Sequence, residues 1–282
     1  MYVLRRPAPQ LREFIEHYWF VLDDGLGADL EVQVFADVRA DLIFNFGVPY
    51  RRSVIGGDTV EIAHSNFDAQ RLVPIRIQQR GAVRVEGVRF QLGGVAPFTA
   101  TRLADWSGST PEPQVVFGDP VVDIETALRS EPDPDAAAYL LDRFFLQQLE
   151  QHGPHPGFVQ ALALLRADET RAPVELAREV GISVRHLERL FARELGYPPK
   201  IVARVLRFQR TLRQLMDDRH IALGDLAETA GYFDQAHFIR DFRRFSGGVP
   251  RGYRGYYPPG GPSDFAPNVV VFVQDDEPDA TS

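Results

Sequence analysis

A repeat lies inside the C-terminal third of this chain. Shifted by 50 positions, Leu176, Ala177 and Gly181 fall on Leu226, Ala227 and Gly231. After one inserted residue the shift is 51, and Leu187, Arg189, Phe191, Gly196 and Pro199 fall on Phe238, Arg240, Phe242, Gly247 and Pro250. Units this short cannot bury a core alone, so the two copies must share one. Each predicts a short helix (174–180 and 223–230), a glycine-containing turn, and a second helix opened by Ser183 or Asp234 as N-cap. The caps' side-chain oxygens are suited to the free N–H groups of a first turn. This is helix-turn-helix spacing.

In the first unit Leu187, Leu190 and Phe191 fall at i, i+3 and i+4 and must face the core. Arg185, His186, Glu188 and Arg189 then occupy the remaining surface, with Arg193 a turn further on. In the second unit Phe238, Phe242 and Phe245 form the buried stripe. Gln235, Ala236, His237 and Arg240 lie toward the helix N-terminus, with Arg243 and Arg244 beyond. A recognition helix reads base edges with its N-terminal residues. Arginine suits guanine O6/N7 and glutamine suits adenine N6/N7, each pairing giving about 1–3 kcal/mol of discrimination. Between the units, Lys200 to Met216 runs without a breaker behind Pro199, and Ile201, Val205, Phe208, Leu212 and Leu215 make its apolar stripe. One stiff helix would hold the two readers in successive major grooves about 34 Å apart, and a poor match of spacing would bend the DNA.

A formal charge of −8 over 282 residues argues against a nucleic-acid partner only as an average. Residues 159–254 carry 17 basic against 12 acidic side chains, whereas the rest of the chain carries 14 against 27. All basic residues except Lys200 are arginines, whose planar forks bind phosphate or guanine in a bidentate way. The length suits two domains. With no cysteine, disulfides, thiolate metal sites and a cysteine nucleophile are excluded. No apolar run is long enough for a membrane span and residues 1–20 are not a signal peptide, so a cytoplasmic location is expected.

Residues 1 to about 125 read as short strands separated by turns: 33–35, 41–46, 54–55, 72–77 and 83–90. Val83 and Val85, then Val88 and Phe90 across a break at Gly87, suggest a barrel or sandwich with one buried face. Gln10 to Phe20 predicts a short amphipathic helix with Leu11, Phe14, Ile15 and Tyr18 on one side. A second helix is expected over 135–151, its stripe of Leu140, Leu141, Phe144, Phe145 and Leu149 packing on its own barrel or on a second copy of the chain. The run 152–157, with two prolines and two glycines, has linker composition, and Val269 to Val273 suggests a late strand. The expected fold class is therefore α+β in two domains. An N-terminal β-barrel or cupin-like domain with flanking helices (1–151) is followed by a linker (152–157). An all-α domain of two helix-turn-helix units joined by a long helix (158–254) then precedes a tail (255–282).

The residues Ser183, Leu187, Arg189 and Phe191, the run Gly231-Tyr232-Phe233-Asp234-Gln235-Ala236-His237-Phe238 with Arg240 and Phe242, and Gly248-Val249-Pro250 with Tyr253-Arg254 together resemble the DNA-binding domain of the AraC/XylS family of transcriptional regulators. The resemblance covers about a third of the chain. It implies base contacts from Arg185, Glu188, Arg189, Gln235, His237 and Arg240. Glu188 departs from a basic surface, since a carboxylate can accept from cytosine N4 but repels phosphate. Tyr18-Trp19, 41–46 and 87–90 are similar to a sensor-like domain of one branch of that family, and 265–267 with 272–274 resemble that branch's tail.

The expected function is sequence-specific DNA-binding regulation of transcription, with double-stranded DNA as partner and a small-molecule effector at the N-terminal domain. Trp19, Phe44, Phe46 and Phe90 are candidate pocket residues for it, a packed interior being the plainer alternative. A homodimer and RNA polymerase are further candidate partners. The competing reading is a cupin-like enzyme acting on small molecules. Against it, only His17 and His64 precede the linker, no metal-ligand spacing appears, and the stretch from Gly25 to Leu30 lacks the third glycine of a dinucleotide loop. No cofactor, metal or catalytic residue is expected.

Overall fold

The structure, a computed structural model, describes residues 2–23, 30–149, 153–218, 220–253 and 269–272. The stretch from Gly25 to Asp29, His152 and the tail residues 254–268 and 273–282, which include 265–267, lie outside them.

Side-chain alternation along one strand sets the layering. Strand β9 (Val83–Phe90) pairs antiparallel with β2 (Ile15–Asp23) and with β4 (Asp41–Asn45). Its residues Val88 and Phe90 join Tyr18, Phe20, Leu42, Phe44 and Phe67 in one apolar cluster. Val83 and Val85 join Trp19, Val21 and Ile43 in another, on the opposite face. The strand is continuous through Gly87, contrary to the expected break. Gly87 pairs with Trp19, and a Cβ there would lie 1.9 Å from Trp19 Cε2. The missing side chain is what lets the indole lie against the sheet.

With β1 (Tyr2–Arg5) and β7 (Asn66–Asp68), these strands form a sheet in the order β1-β2-β9-β4-β7. The second sheet is built from β3 (Leu30–Val34), β5 (Tyr50–Val54), β6 (Thr59–Ile62), β8 (Ile75–Gln79) and β10 (Val269–Phe272), in the order β10-β3-β8-β5-β6. Every pairing is antiparallel. The expected barrel is thus two separate five-stranded sheets. The physical reason lies in β9, which is buried on both faces: one face looks across a cavity to the second sheet, and the other needs a cover that a closed barrel with a wet exterior would not supply.

Helices α1 (Pro113–Phe117), α2 (Pro120–Ser130) and α3 (Pro134–Leu149) supply that cover. Val116, Phe117, Val121, Ile124, Leu128, Leu141 and Phe145 all join the cluster of Phe44 and Phe90. The stripe expected on α3 therefore packs on its own domain. α1 and α2 each begin with proline, a first-position helix signal. The helix expected over Gln10 to Phe20 is instead a 3-10 turn (Pro9–Leu11) followed by β2. Between Ile15 and His17 the register shifts by one residue, so Ile15, Tyr18 and Phe20 share a buried environment. A bulge gives strand residues the spacing of a helix face.

The C-terminal helices are α4 (Pro156–Ala167), α5 (Pro173–Val180), α6 (Val184–Glu194), α7 (Pro199–Asp217), α8 (Leu223–Thr229) and α9 (Gln235–Ser246). His155, within the stretch expected as linker, caps α4 by accepting from Gly157 N at 3.1 Å. Val202, Val205, Phe208, Leu212 and Leu215 of α7 sit at the centre of a core that also takes in Phe35, Ala36, Val38 and Leu92. The β-rich and helical parts are thus joined through shared apolar packing. No helix among the described residues is long and apolar enough to cross a membrane.

Candidate nucleic-acid interface

Two helices carry the candidate DNA-reading residues, and each begins at a side-chain cap. Ser183 Oγ accepts from His186 N at 3.2 Å to start α6, and Asp234 Oδ1 accepts from His237 N at 2.6 Å to start α9. The turns before them pass through Gly181 (φ 75°) and Gly231 (φ 72°), a left-handed backbone that side chains disfavour. This local chemistry is the same in both units.

On α6, Leu187, Leu190 and Phe191 are buried, while Arg185, Glu188, Arg189 and Arg193 are exposed and His186 is half-buried. Arg189 Nη2 lies 3.2 Å from His186 Nδ1, and Arg193 is near Glu194 at 3.6 Å. On α9, Phe238, Phe242 and Phe245 are buried, while Gln235, Ala236, Arg240, Arg243 and Arg244 are exposed. His237 is held at one side of α9. Its ring packs edge-on against Tyr232 and its Nε2 lies 3.7 Å from Asp241. Phe233, in the turn before α9, is 92% exposed, whereas its neighbour Tyr232 is buried.

Three arginines of α7 bind groups elsewhere in the helical part, two of them in the second unit. Arg204 donates to both oxygens of Asp241, through Nη2 at 2.6 Å and Nε at 3.2 Å. Arg207 donates to Gly231 O at 3.0 Å and lies over the Tyr232 ring. Arg210 pairs with Glu169 at 2.8 Å. Part of the basic excess of this region is therefore structural.

Two features escaped the sequence reading. A groove beside α6 is lined by His186, Arg189, Leu190, Ala192 and Arg193 together with Arg102 of the N-terminal domain, so a third guanidinium approaches from a distant part of the chain. Nothing local to Arg102 signals this. The second is a cavity between the two sheets, walled by Trp19, Val21, Val32, Val34, Ile43, Ile77, Val83 and Val85 and closed at one end by polar side chains. Of the four rings expected at a pocket, Trp19 borders it. Phe44 and Phe90 lie on the far face of the first sheet, under the helices, and Phe46 stacks on Phe44 beneath Arg84 and Arg129. Strand parity put them there, because residues of one strand that differ by an odd number face opposite ways. Among the described residues no group of three or more histidines and carboxylates could hold a metal ion.

Comparison with known proteins gives the following. Residues 176–256 match the family model of a helix-turn-helix domain, and residues 5–112 match a domain of unknown function (DUF6597). The chain is 31% identical over 99 residues to the HTH-type transcriptional regulator ArgR of Pseudomonas aeruginosa, covering 34% of this chain and 30% of that protein. It is 33% identical over 110 residues to the HTH-type transcriptional regulator GbdR of the same species, covering 38% and 29%. The match thus spans about a third or less of each relative. A solved structure from Chromobacterium violaceum, described as a transcriptional regulator of the AraC-type DNA-binding domain-containing proteins, is 30% identical over 36% of this chain and 90% of its own, with a TM-score of 0.33.

Proposed function

We propose that the protein is a sequence-specific regulator of transcription that binds promoter DNA through α6 and α9, a reading supported by the match of residues 176–256 to a helix-turn-helix domain. The observation that carries this reading is the paired exposure of arginine on two separately capped helices, Arg185 and Arg189 on one and Arg240 on the other, while the opposite faces share one core. Arg185, Glu188, Arg189, Gln235, Ala236, His237 and Arg240 are the base-contacting candidates, with His186, Arg193 and Arg244 at phosphates. In this reading the reading domain runs over 158–254 and follows a linker at 152–157. The N-terminal domain, 1–151, senses a small molecule, residues 255–282 are a tail, and the protein acts in the cytoplasm without catalysing a reaction. A second copy of the chain and RNA polymerase are its further partners.

Titrating salt against binding to duplex DNA tests the proposal. Affinity should fall linearly in log–log form, with a slope of about −0.9 per phosphate contacted. Fragments selected from random sequence should contain two half-sites. Absence of duplex binding at low salt, or binding indifferent to salt, overturns the proposal.

A further inference from the structure

The cavity between the sheets has the size and polarity of a specific kind of site. Its volume is about 160 Å³, and an apolar cavity of about 150 Å³ holds benzene. The indole of Trp19, lying against Gly87, gives one flat wall. At the polar end stand His17, Asp41, Tyr50, Asp68, Arg71 and Arg89. The charges there are already balanced. Arg89 Nη1 donates to Asp41 at 2.5 Å and Nη2 donates to Asp37, while Arg71 and Arg52 donate to the two oxygens of Asp68 at 2.6 and 3.1 Å. A charged guest would have to break one of these buried pairs, whereas an uncharged one need not. Arg71 and Arg89 each also keep a buried Nε–H without an acceptor, so this end of the cavity is rich in donors and short of acceptors.

The same end of the cavity connects to the helix between the two reading units. Asp37, fully buried, takes Arg89 on one side and accepts from Gln209 Nε2 of α7 at 3.0 Å on the other. Gln209 also donates to Ala36 O at 3.3 Å, and Ala36 N donates to Phe245 O of α9 at 2.9 Å. From α7, Arg204 and Arg207 reach α9 and the turn before it. Buried hydrogen-bonded groups of this kind cannot shift singly without leaving a partner unsatisfied.

We propose that the inter-sheet cavity binds an uncharged molecule of single-ring size bearing one hydrogen-bond acceptor, and that its occupancy is relayed to α7 through Arg89, Asp37 and Gln209. The relay deepens the regulator reading and rests on it for its purpose, but the binding itself does not depend on DNA.

The test uses the full chain with W106F, which leaves Trp19 as its one tryptophan, and p-cresol as probe. p-Cresol should change Trp19 emission saturably, and benzoate, of like size but anionic, should bind at least about tenfold more weakly. V85F, which fills the cavity, should abolish the response, and I77F on the facing sheet carries the same test if V85F does not fold. No saturable response to p-cresol, or equal binding of benzoate, overturns the site. For the relay, p-cresol should alter hydrogen exchange of amides within Pro199–Asp217 in the parent. That change should be lost in Q209L although Q209L still binds p-cresol. An unchanged exchange response in Q209L overturns the relay. Duplex binding by the probe-free parent is measured separately, so failure of DNA binding is distinguishable from failure of either of these.

Discussion

Arg204 on α7 and Asp241 on α9 form a two-pronged ion pair whose carboxylate is buried, at 2.6 and 3.2 Å. The pair ties α9 to α7 across the intervening α8. The hydrogen bonding of Arg204 to Asp241 is the main reason the Arg204 guanidinium is raised above its ordinary pKa.

Removing the arginine leaves a buried charge, while removing the carboxylate frees an arginine that can reach water. R204A should therefore destabilise the fold more than D241A, by about 3 kcal/mol against somewhat less. Urea unfolding midpoints check the order, and equal losses or a reversed order would remove Asp241 as the buried member.

R240A should weaken binding to a selected site by about 1–3 kcal/mol and relax the preferred base at one position. R244A should weaken every sequence alike and lower the salt slope by about one contact. Anisotropy titrations on single-base variants of the site separate the two. Identical behaviour of the two variants would count against the assignment of bases to the N-terminal part of α9.

G87A should destabilise the N-terminal domain by about 1–3 kcal/mol, because the new methyl group meets the Trp19 indole and overpacks the site. A shift in tryptophan emission should accompany the loss. An unchanged melting temperature would mean that the indole has another place to go.

Burial raises the Glu86 carboxyl to about 7, against the opposing hydrogen bond from Arg84, and its Oε2 has no partner. The folded protein therefore holds a proton that the unfolded chain releases near 4.5. Stability from this group is fully present below pH 4.5 and is lost as pH rises through 7. E86Q should flatten that decline. Thermal midpoints between pH 5 and 8 test it, and parallel curves for parent and E86Q would refute it.

Much of the helical half was legible because its signals are local. Ser183 and Asp234 cap helices through atoms three residues away, and the apolar spacing of Leu187, Leu190 and Phe191 reports one face of one helix. In the β-rich half the same kind of reading misplaced Ile15 and Tyr18 on a helix and Phe90 at a pocket. A bulge and the parity of β9 depend on which strands pair, and pairing partners lie far apart in the chain.

Periodicity and capping act within a few residues, so two similar pairs of short helices joined by a long one could be read along the chain. Packing between distant segments settles which arginines serve the fold and which face solvent, brings Arg102 beside α6, and sets Asp37 between Arg89 and Gln209. Those relationships join residues tens to hundreds of positions apart, and they exist only once burial has made each polar group find a partner.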